Sequence, residues 1–326
     1  MVSILIPAYN CEAYIETCMD GILSQTYADI EILIADDGST DATRNLIDRY
    51  TDPRIKRFHQ NKNAGNLKTI NKLLSKAGGQ FIAFQDADDW CDKERIQKQV
   101  DFLFANPGIS FCGTEYRYVN PDQSFEILKE LPLSPEAIME FVRKFHVPPF
   151  CAASCMFKKE VYDSIGGFRP YFDGIGAADF DWHFRILEKY KAANLPEILY
   201  FYRKNPSSIT FTMSTDLRKL IGDKIAYFLY EQRLNTKTDA LISNNHRELD
   251  LFMKSQLQPY YKEPSLICNK MTMSLIHQGR KGLALKYALL GIVKAPFKRK
   301  NYSMLKYWFW KQFVNKELNQ ELIRQF

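Results

Sequence analysis

The stretch FIAFQDADDW, residues 81–90, is an apolar, strand-like run that ends in three carboxylates within four positions. Like charges a few ångströms apart repel, and each carboxylate is better solvated in water than at the end of a buried strand. A compensating partner is therefore expected. A divalent cation that also binds phosphate is one such partner, since Mg²⁺ and Mn²⁺ are held by one or two carboxylates together with substrate phosphates.

The sequence on either side of this stretch alternates between strand-like and helix-like segments. Continuous apolar strands separated by helices predict a parallel sheet that is covered on both faces. The βαβαβαβα order predicts a doubly wound α/β domain, in which ligands bind beyond the carboxyl ends of the strands. The predicted strands are VSILIP (2–7), IEILIA (30–35), IKRFHQ (55–60) and QFIAFQ (80–85), and the predicted helices are 13–25, 40–50, 66–77 and 93–105.

The alternation weakens after residue 106, and the periodicity is helical, with almost no strand signal, from about residue 215 onward. We therefore predict an α/β domain over 1–212, with a regular first half (1–106) and a less regular second half (107–212), followed by a helical region over 213–326. In the second half, the predicted strands are 109–119, 151–157 and 199–203, and the predicted helices are 181–190 and one with Ser134 as N-cap and Pro135 at its first position.

The acid trio allows two interpretations. Residues two apart on an extended segment project to the same side, so Asp86 and Asp88 can face one ligand. The first acid would hold a sugar hydroxyl or a water and the second the cation, while Asp89 would point away and cap the next helix. The alternative is a solvated turn, in which the acids favour the positive end of the following helix.

The stretch IADDGSTD, residues 34–41, ends the second predicted strand with further acids. One interpretation is base recognition, in which a carboxylate accepts a hydrogen bond from a ring N–H of uracil in a half-buried slot. The alternative is an acidic Asx turn with Gly38 in the turn and Ser39 as helix N-cap.

The stretch PAYN, residues 7–10, ends the first predicted strand. In one interpretation, the Tyr9 ring walls a nucleotide while the Ala8 backbone contacts its base or ribose. In the other, the stretch only terminates the strand, with a helix N-cap at Asn10 or Cys11.

Taken in order, these stretches resemble the inverting family-two glycosyltransferases with the GT-A fold, and the resemblance covers about residues 1–210. Each motif alone is weak, but the ordered set is specific. The set is ILIPAYN (4–10), EILIADDGSTD (31–41), NKNAG (61–65), GGQFIAFQDADD (78–89) and IGGF (165–168) before AADFDWHFR (177–185).

The resemblance implies an α/β protein with a mostly parallel, Rossmann-like GT-A sheet and a nucleotide-activated sugar as donor, usually a UDP-sugar. It makes 1–212 the catalytic domain, with 1–106 as its nucleotide-binding half and 107–212 as its acceptor half. It implies a divalent cation, Mn²⁺ or Mg²⁺, on a DxD motif formed by Asp86 and Asp88, with Asp88 as the direct ligand. The nucleotide-binding residues that it implies are Pro7, Ala8, Tyr9, Asp36, Asp37, Asn63, Asp86 and Ala87.

The resemblance also implies a catalytic base, Asp179, and here the chain departs from the family's pattern. Members commonly carry Glu-Asp at this point, whereas this chain has Ala178 before Asp179. The alternative role for Asp179 is a helix N-cap, with Asp181 and Arg185 as an i,i+4 ion pair. Removal of the neighbouring Glu takes away a supporting carboxylate without removing the base.

Two further departures concern charge near the diphosphate and the metal. The family often places an Arg where this chain has Ile70, so we expect Lys68 to supply the positive charge instead. The family's later Tyr-Arg-x-His segment has Asn205 where a His is common. A metal site assisted by histidine is therefore not expected.

The expected activity is transfer of a sugar, with inversion, to a hydroxyl of a glycan or lipid-linked acceptor in surface polysaccharide assembly. Asp179 would take the hydroxyl proton as general base. One rival is a sugar nucleotidyltransferase, but PAYNCEAYIE lacks the Gly-rich, basic loop that such enzymes need after the first strand. The other rival is a nucleotide-binding scaffold that has lost catalysis, which only Ala178 and Ile70 favour.

The net charge of +6 comes from the end of the chain, because residues 280–326 hold eleven Lys and Arg against two acids. Within this tail, residues 286–313 mix cations with aromatic side chains. Such a segment either packs on the catalytic domain with a solvated basic face or lies on an anionic membrane surface. Nucleic acid is not expected as a partner, since no binding motif accompanies the charge.

Composition favours a cytoplasmic protein, with the inner face of the cell membrane as a further location. The chain has seven cysteines, an odd number without a CxxC pair, which is typical of reduced thiols. The apolar run at the start, MVSILIPAYN, is too short and meets polar residues too early for a signal peptide. No apolar run reaches the roughly 18 residues of a membrane span.

Overall fold

The computed structural model describes residues 1–120, 124–126, 130–205, 216–277 and 279–313. They form two compact units. The first comprises the described residues of Met1–Asn205 and Ser214–His246, and the second those of Arg247–Phe326. The domain boundary predicted after residue 212 lies outside the described residues.

The first unit contains all of the described strands and eight of the helices. The strands are β1 (Val2–Ala8), β2 (Ile30–Asp36), β3 (Ile55–His59), β4 (Phe81–Phe84), β5 (Trp90–Cys91), β6 (Ile109–Val119), β7 (Phe125–Glu126), β8 (Met156–Lys158) and β9 (Lys191–Arg203). The helices are α1 (Ile15–Leu23), α2 (Thr43–Asp48), α3 (Asn66–Leu74), α4 (Arg95–Ala105), α5 (Pro135–Phe145), α6 (Lys159–Ile165), α7 (Ala178–Leu187) and α8 (Gly222–Thr236).

The strands form one sheet in the order β3-β2-β1-β4-β8-β6-β9-β5, with β7 paired to β6. The first four of these are mutually parallel, as the alternation predicted. β8 then runs antiparallel to both β4 and β6, and β9 runs parallel to β6. The predicted α/β class is confirmed, and the carboxyl ends of β1, β2 and β4 meet at one edge.

The core lies on both faces of the sheet, because successive side chains of a strand point to opposite faces. On β1, Ile4 and Ile6 join a cluster that includes Met19 of α1, whereas Leu5 joins the opposite cluster, which includes Leu73 of α3. All of these side chains are fully buried. This two-sided burial explains why β1 and β2 are apolar without alternation.

Two predicted features are corrected in the acceptor half, and one is confirmed. Residues 151–157 are not a continuous strand, because a 3₁₀ turn over Ala152–Ser154 precedes β8. The last strand is longer than predicted and begins at Lys191. The predicted cap of α5 is confirmed, since the hydroxyl of Ser134 accepts a hydrogen bond from the Ala137 amide at 3.2 Å.

The alternative interpretations of PAYN and IADDGSTD place helix N-caps at Asn10 or Cys11 and at Ser39, and these caps are wrong. α1 and α2 begin several residues later, after Tyr14 and Ala42. The polar side chains join the two loops instead: the Asn10 amide donates to the Ser39 hydroxyl at 3.0 Å, and the Thr40 amide donates to the Asn10 side chain at 2.8 Å.

The second unit is helical, with α9 (His246–Lys262) leading into it from the first unit, followed by α10 (Ser265–His277), α11 (Lys281–Lys294) and α12 (Arg299–Phe313). The last three helices pack against one another. α11 presents small residues to its neighbours, namely Ala284, Ala288 and Gly291, which are buried. Among the described helices, none has the length and apolar character needed to cross a membrane.

Candidate active site

Three strand ends bring the predicted polar residues to one edge of the sheet. In the register of the parallel strands, Ala8 lies beside Asp36, and Leu5 lies beside Phe84. The chain segments that follow β1, β2 and β4 therefore emerge together. The sheet itself accounts for the convergence of PAYN, IADDGSTD and FIAFQDADDW.

Asp86, Asp88 and Asp89 form an acid cluster in which one oxygen from each carboxylate lies within 4.8 Å of the others. The carboxylate of Asp86 accepts no hydrogen bond from any described residue. Burial, followed by the charges of Asp88 and Asp179, raises the pKa of Asp86 to about 7. Burial also raises the pKa of Asp88, although hydrogen bonding and the charge of Arg203 oppose this shift.

The prediction that Asp89 points away and caps the next helix is wrong. Asp89 is 1% exposed and turns inward, where it accepts hydrogen bonds from the Tyr200 hydroxyl at 2.9 Å and the Arg203 amide at 2.7 Å. Both donors lie on β9, which pairs with the short strand β5 just after the cluster. Asp89 is therefore occupied by the protein, and Asp86 and Asp88 remain for a ligand.

These two carboxylates fit a divalent cation. Asp86 offers unpaired oxygens, and the Asp88 carboxylate is fixed by a hydrogen bond from the Asn205 side-chain amide at 3.1 Å. Oxygen donors of this kind suit Mg²⁺ and Mn²⁺. Burial is the main cause of both raised pKa values, and for Asp86 the charge of Asp88 adds to it. A bound cation would stabilise the charged form of both carboxylates and so oppose these shifts.

Asp179 lies close enough to the acid cluster for its charge to raise the pKa of Asp86. It is not an N-cap, because Ala177 occupies that position and Asp179 falls in the first turn of α7. A left-handed backbone at Gly174, Gly176 and Ala177 turns the chain into this helix. Burial raises the pKa of Asp179 above its ordinary value, against the opposing effect of local amide hydrogen bonds.

A buried ionic network anchors α7 beneath this carboxylate. The predicted i,i+4 pair is confirmed, since Arg185 donates to Asp181 at 3.2 Å. Asp181 is fully buried and also pairs with Arg169. Arg169 in turn pairs with Asp239, which lies after α8 and is shared with Arg233. The network ties the loop before α7, α7 itself and α8 together, so the position of Asp179 is held by charges far apart in sequence.

The residues predicted to bind the nucleotide lie around the same edge. Tyr9 is 46% exposed just past β1, where its ring is free to wall a ligand. Asp36 is buried and accepts a hydrogen bond from the Ser39 amide. Asp37 is also buried and accepts hydrogen bonds from the Ala64 and Gly65 amides, so it fixes the loop that carries the exposed Asn63. Pro7 and Ala8 end β1, and Ala87 is buried between the two metal-binding candidates.

The two positions where the chain departs from the family's charge pattern have clear structural roles. Ile70 is a buried member of the core on α3 and carries no charge to the site. Lys68 is exposed on the first turn of α3, and its ammonium lies 3.7 Å from the carboxylate of Asp173 in the loop before α7. The predicted role of Lys68 at the diphosphate stays a prediction.

Sequence analysis missed Arg203, which lies directly beside the acid cluster. Its guanidinium is stacked between the rings of Tyr14 and Trp90, with both centroids at 4.7 Å, and its Nε donates to the Asp88 carbonyl at 2.9 Å. The other two guanidinium nitrogens have no partner among the described residues. The Tyr202-Arg203 pair matches the family's Tyr-Arg-x-His segment and is the signal that could have found it, but the sequence argument uses only Asn205, at the His position of that segment.

Comparison with known proteins identifies the chain. Residues 3–166 match the family described as "Glycosyl transferase family 2", which is half of the chain. The β-1,3-glucosyltransferase WfaP of Escherichia coli, named as acting on UDP-Glc and α-D-GlcNAc-diphosphoundecaprenol, is 32% identical over 64% of this chain and 80% of its own length. The chain therefore belongs to glycosyl transferase family 2, and it is a glycosyltransferase.

Other similar proteins differ more in length or sequence. The hyaluronan synthase of Pasteurella multocida is 29% identical over 77% of this chain, but the match spans only 24% of the synthase. Staphylococcus aureus TarS 1–349, solved with UDP-GlcNAc, superposes with a TM-score of 0.62 at 16% identity over 93% of this chain and 88% of its own. Pyrobaculum calidifontis mannosyltransferase PcManGT, solved with GDP-Man and Mn²⁺, superposes with a TM-score of 0.53 at 18% identity, over 95% of this chain and 85% of its own. These structures confirm the predicted GT-A fold.

Proposed function

We propose that the protein transfers a sugar, with inversion, from a UDP-sugar to a hydroxyl of a glycan or lipid-linked acceptor during surface polysaccharide synthesis. The observation that carries this proposal is the acid cluster at one edge of the sheet together with the nearby carboxylate of Asp179. Asp86 and Asp88 are suited to a cation, and Asp179 lies close enough for its charge to raise the pKa of Asp86, while burial raises the pKa of Asp179 itself.

In this mechanism, Asp179 accepts the proton of the acceptor hydroxyl as general base. The hydroxyl oxygen forms a bond to the anomeric carbon, and the bond from that carbon to the diphosphate breaks on the opposite face, which inverts the configuration. A raised pKa makes Asp179 a stronger base than an ordinary carboxylate, which favours proton removal near neutral pH. No covalent intermediate with the enzyme is required.

The remaining residues bind and orient the donor. Asp88 and Asp86 would hold Mn²⁺ or Mg²⁺, which supplies Lewis-acid neutralisation of the diphosphate when bound. The two guanidinium nitrogens of Arg203 that lack a partner among the described residues would be a second source of positive charge for the same diphosphate, in place of the arginine that the family often has where this chain has Ile70. Asp36, Asp37, Asn63 and Lys68, with Pro7–Tyr9 and Ala87, would line the nucleotide.

The donor, metal and acceptor are inferred from similar proteins. TarS binds UDP-GlcNAc, PcManGT binds GDP-Man with Mn²⁺, and WfaP is named for a lipid-linked acceptor. A lipid-linked acceptor would require the enzyme to work at the inner face of the cell membrane, as a cytoplasmic protein that docks on it.

The proposal is tested with Asp179→Asn and Asp88→Ala, with Asp163→Asn on the exposed surface of α6 as the matched control. Turnover is followed as release of nucleoside diphosphate from a panel of sugar nucleotides, and UDP binding is followed by calorimetry with and without Mn²⁺. We expect D179N to lose about 10²–10⁴-fold in turnover while binding UDP normally, because general-base catalysis has that worth. D88A should lose the Mn²⁺-dependent part of UDP binding, and D163N should match the parent.

Other outcomes would favour a different function. Normal turnover by D179N would remove Asp179 as the base. Binding of UDP by the parent, with no release of diphosphate from any donor, would make the protein a nucleotide-binding scaffold. A requirement for a nucleoside triphosphate would make it a sugar nucleotidyltransferase.

A further inference from the structure

The corner where α11 turns into α12 exposes apolar side chains to solvent. Phe297, in the turn between the two helices, is 98% exposed. On the last turns of α11, Val293 is 75% exposed and Leu289 is 47% exposed. These two residues are four apart, so they lie on one face of the helix, away from the buried Ala284 and Ala288. We call the surface formed by Leu289, Val293, Phe297 and the exposed cations around them, Lys286, Lys294, Arg299 and Lys300, the basic corner.

The exposure of Phe297 belongs to a well-organised turn. The side-chain amide of Asn301 is fully buried and donates to the carbonyls of Gly291 and Ala295 at 2.8 and 2.9 Å. It thereby satisfies backbone groups that the end of α11 leaves open. Asn301 also accepts a hydrogen bond from Asn269 of α10 at 2.7 Å. The fold thus fixes the backbone of the turn from which Phe297 projects into solvent.

The charge of the basic corner has one sign. Residues 281–313 contain eight Lys and Arg and no Asp or Glu. Lys298 is paired with Glu263 at 3.3 Å. The four cations of the basic corner form no ion pair with any residue that the structure describes, and all are exposed. Such a surface needs an anionic partner.

We propose that the basic corner docks on an anionic lipid bilayer, with Phe297, Val293 and Leu289 inserted among the headgroups and the cations on lipid phosphates. An exposed aromatic ring flanked by cations is suited to the interface, where the ring is removed from water while the charges stay at headgroup level. A second copy of this chain would bring like charges together, and nucleic acid would leave the aliphatic Leu289 and Val293 without a partner. The proposal concerns binding alone and does not depend on the proposed reaction.

The first test measures co-sedimentation of the full chain with vesicles of phosphatidylcholine, with and without one-quarter phosphatidylglycerol. We expect binding to the anionic vesicles only, weakening as salt rises. Phe297→Ser should reduce the partition coefficient about tenfold, since an aromatic side chain loses its burial. The double variant R299Q/K300Q should reduce it about 25-fold, because each cation near an anionic surface contributes roughly fivefold.

Matched controls remove the same groups elsewhere. Ile242→Ser takes away a side chain that is 63% exposed in the first unit, and the double variant K72Q/K76Q removes two exposed lysines, one on α3 and one just after it. Both should bind vesicles as the parent does. Phe297 and the two cations lack buried contacts, so thermal unfolding should be unchanged in their variants.

A second measurement reports the position of residue 297 directly. All seven native cysteines are buried, so F297C can be labelled selectively with an environment-sensitive fluorophore such as NBD. The label should brighten and shift to the blue with anionic vesicles, whereas a label on I242C should not change.

Three results would overturn the proposal. One is equal vesicle binding by the parent, F297S and R299Q/K300Q. Another is an unchanged NBD spectrum at position 297 with anionic vesicles. The third is a dimer or a nucleic-acid complex that F297S or R299Q/K300Q disrupts, with no vesicle binding by the parent. Because donor hydrolysis is measured in solution, it distinguishes failure of docking from failure of the proposed function.

Discussion

Replacing His183 by phenylalanine should make the protein more resistant to mild acid. His183 lies on α7, is 1% exposed, and neither ring nitrogen has a hydrogen-bond partner among the residues that the structure describes. Its ring packs against Phe111 and Phe150, with centroids at 5.4 and 5.2 Å. A charged imidazolium cannot be accommodated in such surroundings, and burial lowers the pKa of His183 from 6.5 to about 3.

The size of the effect follows from linkage between proton binding and folding. Below pH 6.5 the unfolded chain takes up a proton at His183 that the folded protein refuses until about pH 3. Stability therefore falls as the pH falls through this window, by about 1.4 kcal/mol per pH unit. At pH 5, one and a half units below the unfolded value, His183 alone should cost about 2 kcal/mol of unfolding free energy.

The assay is urea denaturation of the parent and H183F at pH 8 and pH 5. At pH 8, the difference in unfolding free energy between the two proteins measures how well the new ring packs. The change in that difference between pH 8 and pH 5 measures the effect of protonating His183 in the unfolded chain. We expect the unfolding free energy of H183F, relative to that of the parent, to be about 2 kcal/mol higher at pH 5 than at pH 8. His246→Phe, at the exposed start of α9, is the control and should gain far less. A pH dependence of stability that is the same in H183F and the parent would refute a neutral, buried His183.

Three further variants test the site and its support. Asn205→Ala removes the hydrogen bond to Asp88, so UDP binding in the presence of Mn²⁺ should weaken about tenfold by calorimetry, as expected for a bond to a charged group. Gly38 has a left-handed backbone, with φ of +71°, and a Cβ at this position would lie 2.5 Å from the backbone of the loop before α3. Gly38→Ala should therefore lower the free energy of unfolding by about 2–4 kcal/mol. Gly108→Ala, whose Cβ would meet nothing within 4 Å, is the control and should be nearly neutral. Asp181→Asn leaves buried arginines short of a charge partner and should cost about 3–5 kcal/mol in urea denaturation.

Each of these expectations has a clear contrary result. Unchanged Mn²⁺-dependent binding in N205A would mean that Asp88 is positioned without Asn205. A G38A protein as stable as G108A would mean that the loop before α3 yields freely. A loss of unfolding free energy below about 1 kcal/mol in D181N would mean that the ionic network contributes no more to stability than a surface ion pair does.

The parallel part of the sheet could be predicted because its signal is local. β1, β2 and β4 are continuous apolar runs, and their burial on both faces produces that pattern. The two-residue strands β5 and β7 carry no such signal, since they form only through pairing with β9 and β6. The sequence predicts a strand at residues 152–154, and the structure has a 3₁₀ turn there, because the small side chains of Ala152, Ala153 and Ser154 fit a buried turn as well as a strand.

The candidate site was predictable to the extent that its residues are adjacent in sequence. Asp86 and Asp88 lie two apart at a strand end, and the structure places them together. The orientation of Asp89 was not predictable, because its partner Tyr200 lies 111 residues away. The same holds for Arg203, because one of its two stacking rings, Tyr14, precedes α1 and the other, Trp90, lies on β5. Local pairs, such as Asp181 with Arg185, can be found from spacing, whereas distant partners need the fold.

The pairing of β5 with β9 bears on how the protein is made. Tyr200 and Arg203 hold Asp89, and Asn205 holds Asp88, so the end of β9 completes an acid cluster that begins at residue 86. A growing chain on the ribosome therefore carries Asp86, Asp88 and Asp89 well before it can orient them. A fragment that ends at residue 106 would contain every nucleotide-binding residue predicted from the sequence and still lack the β9 residues that hold the acid cluster.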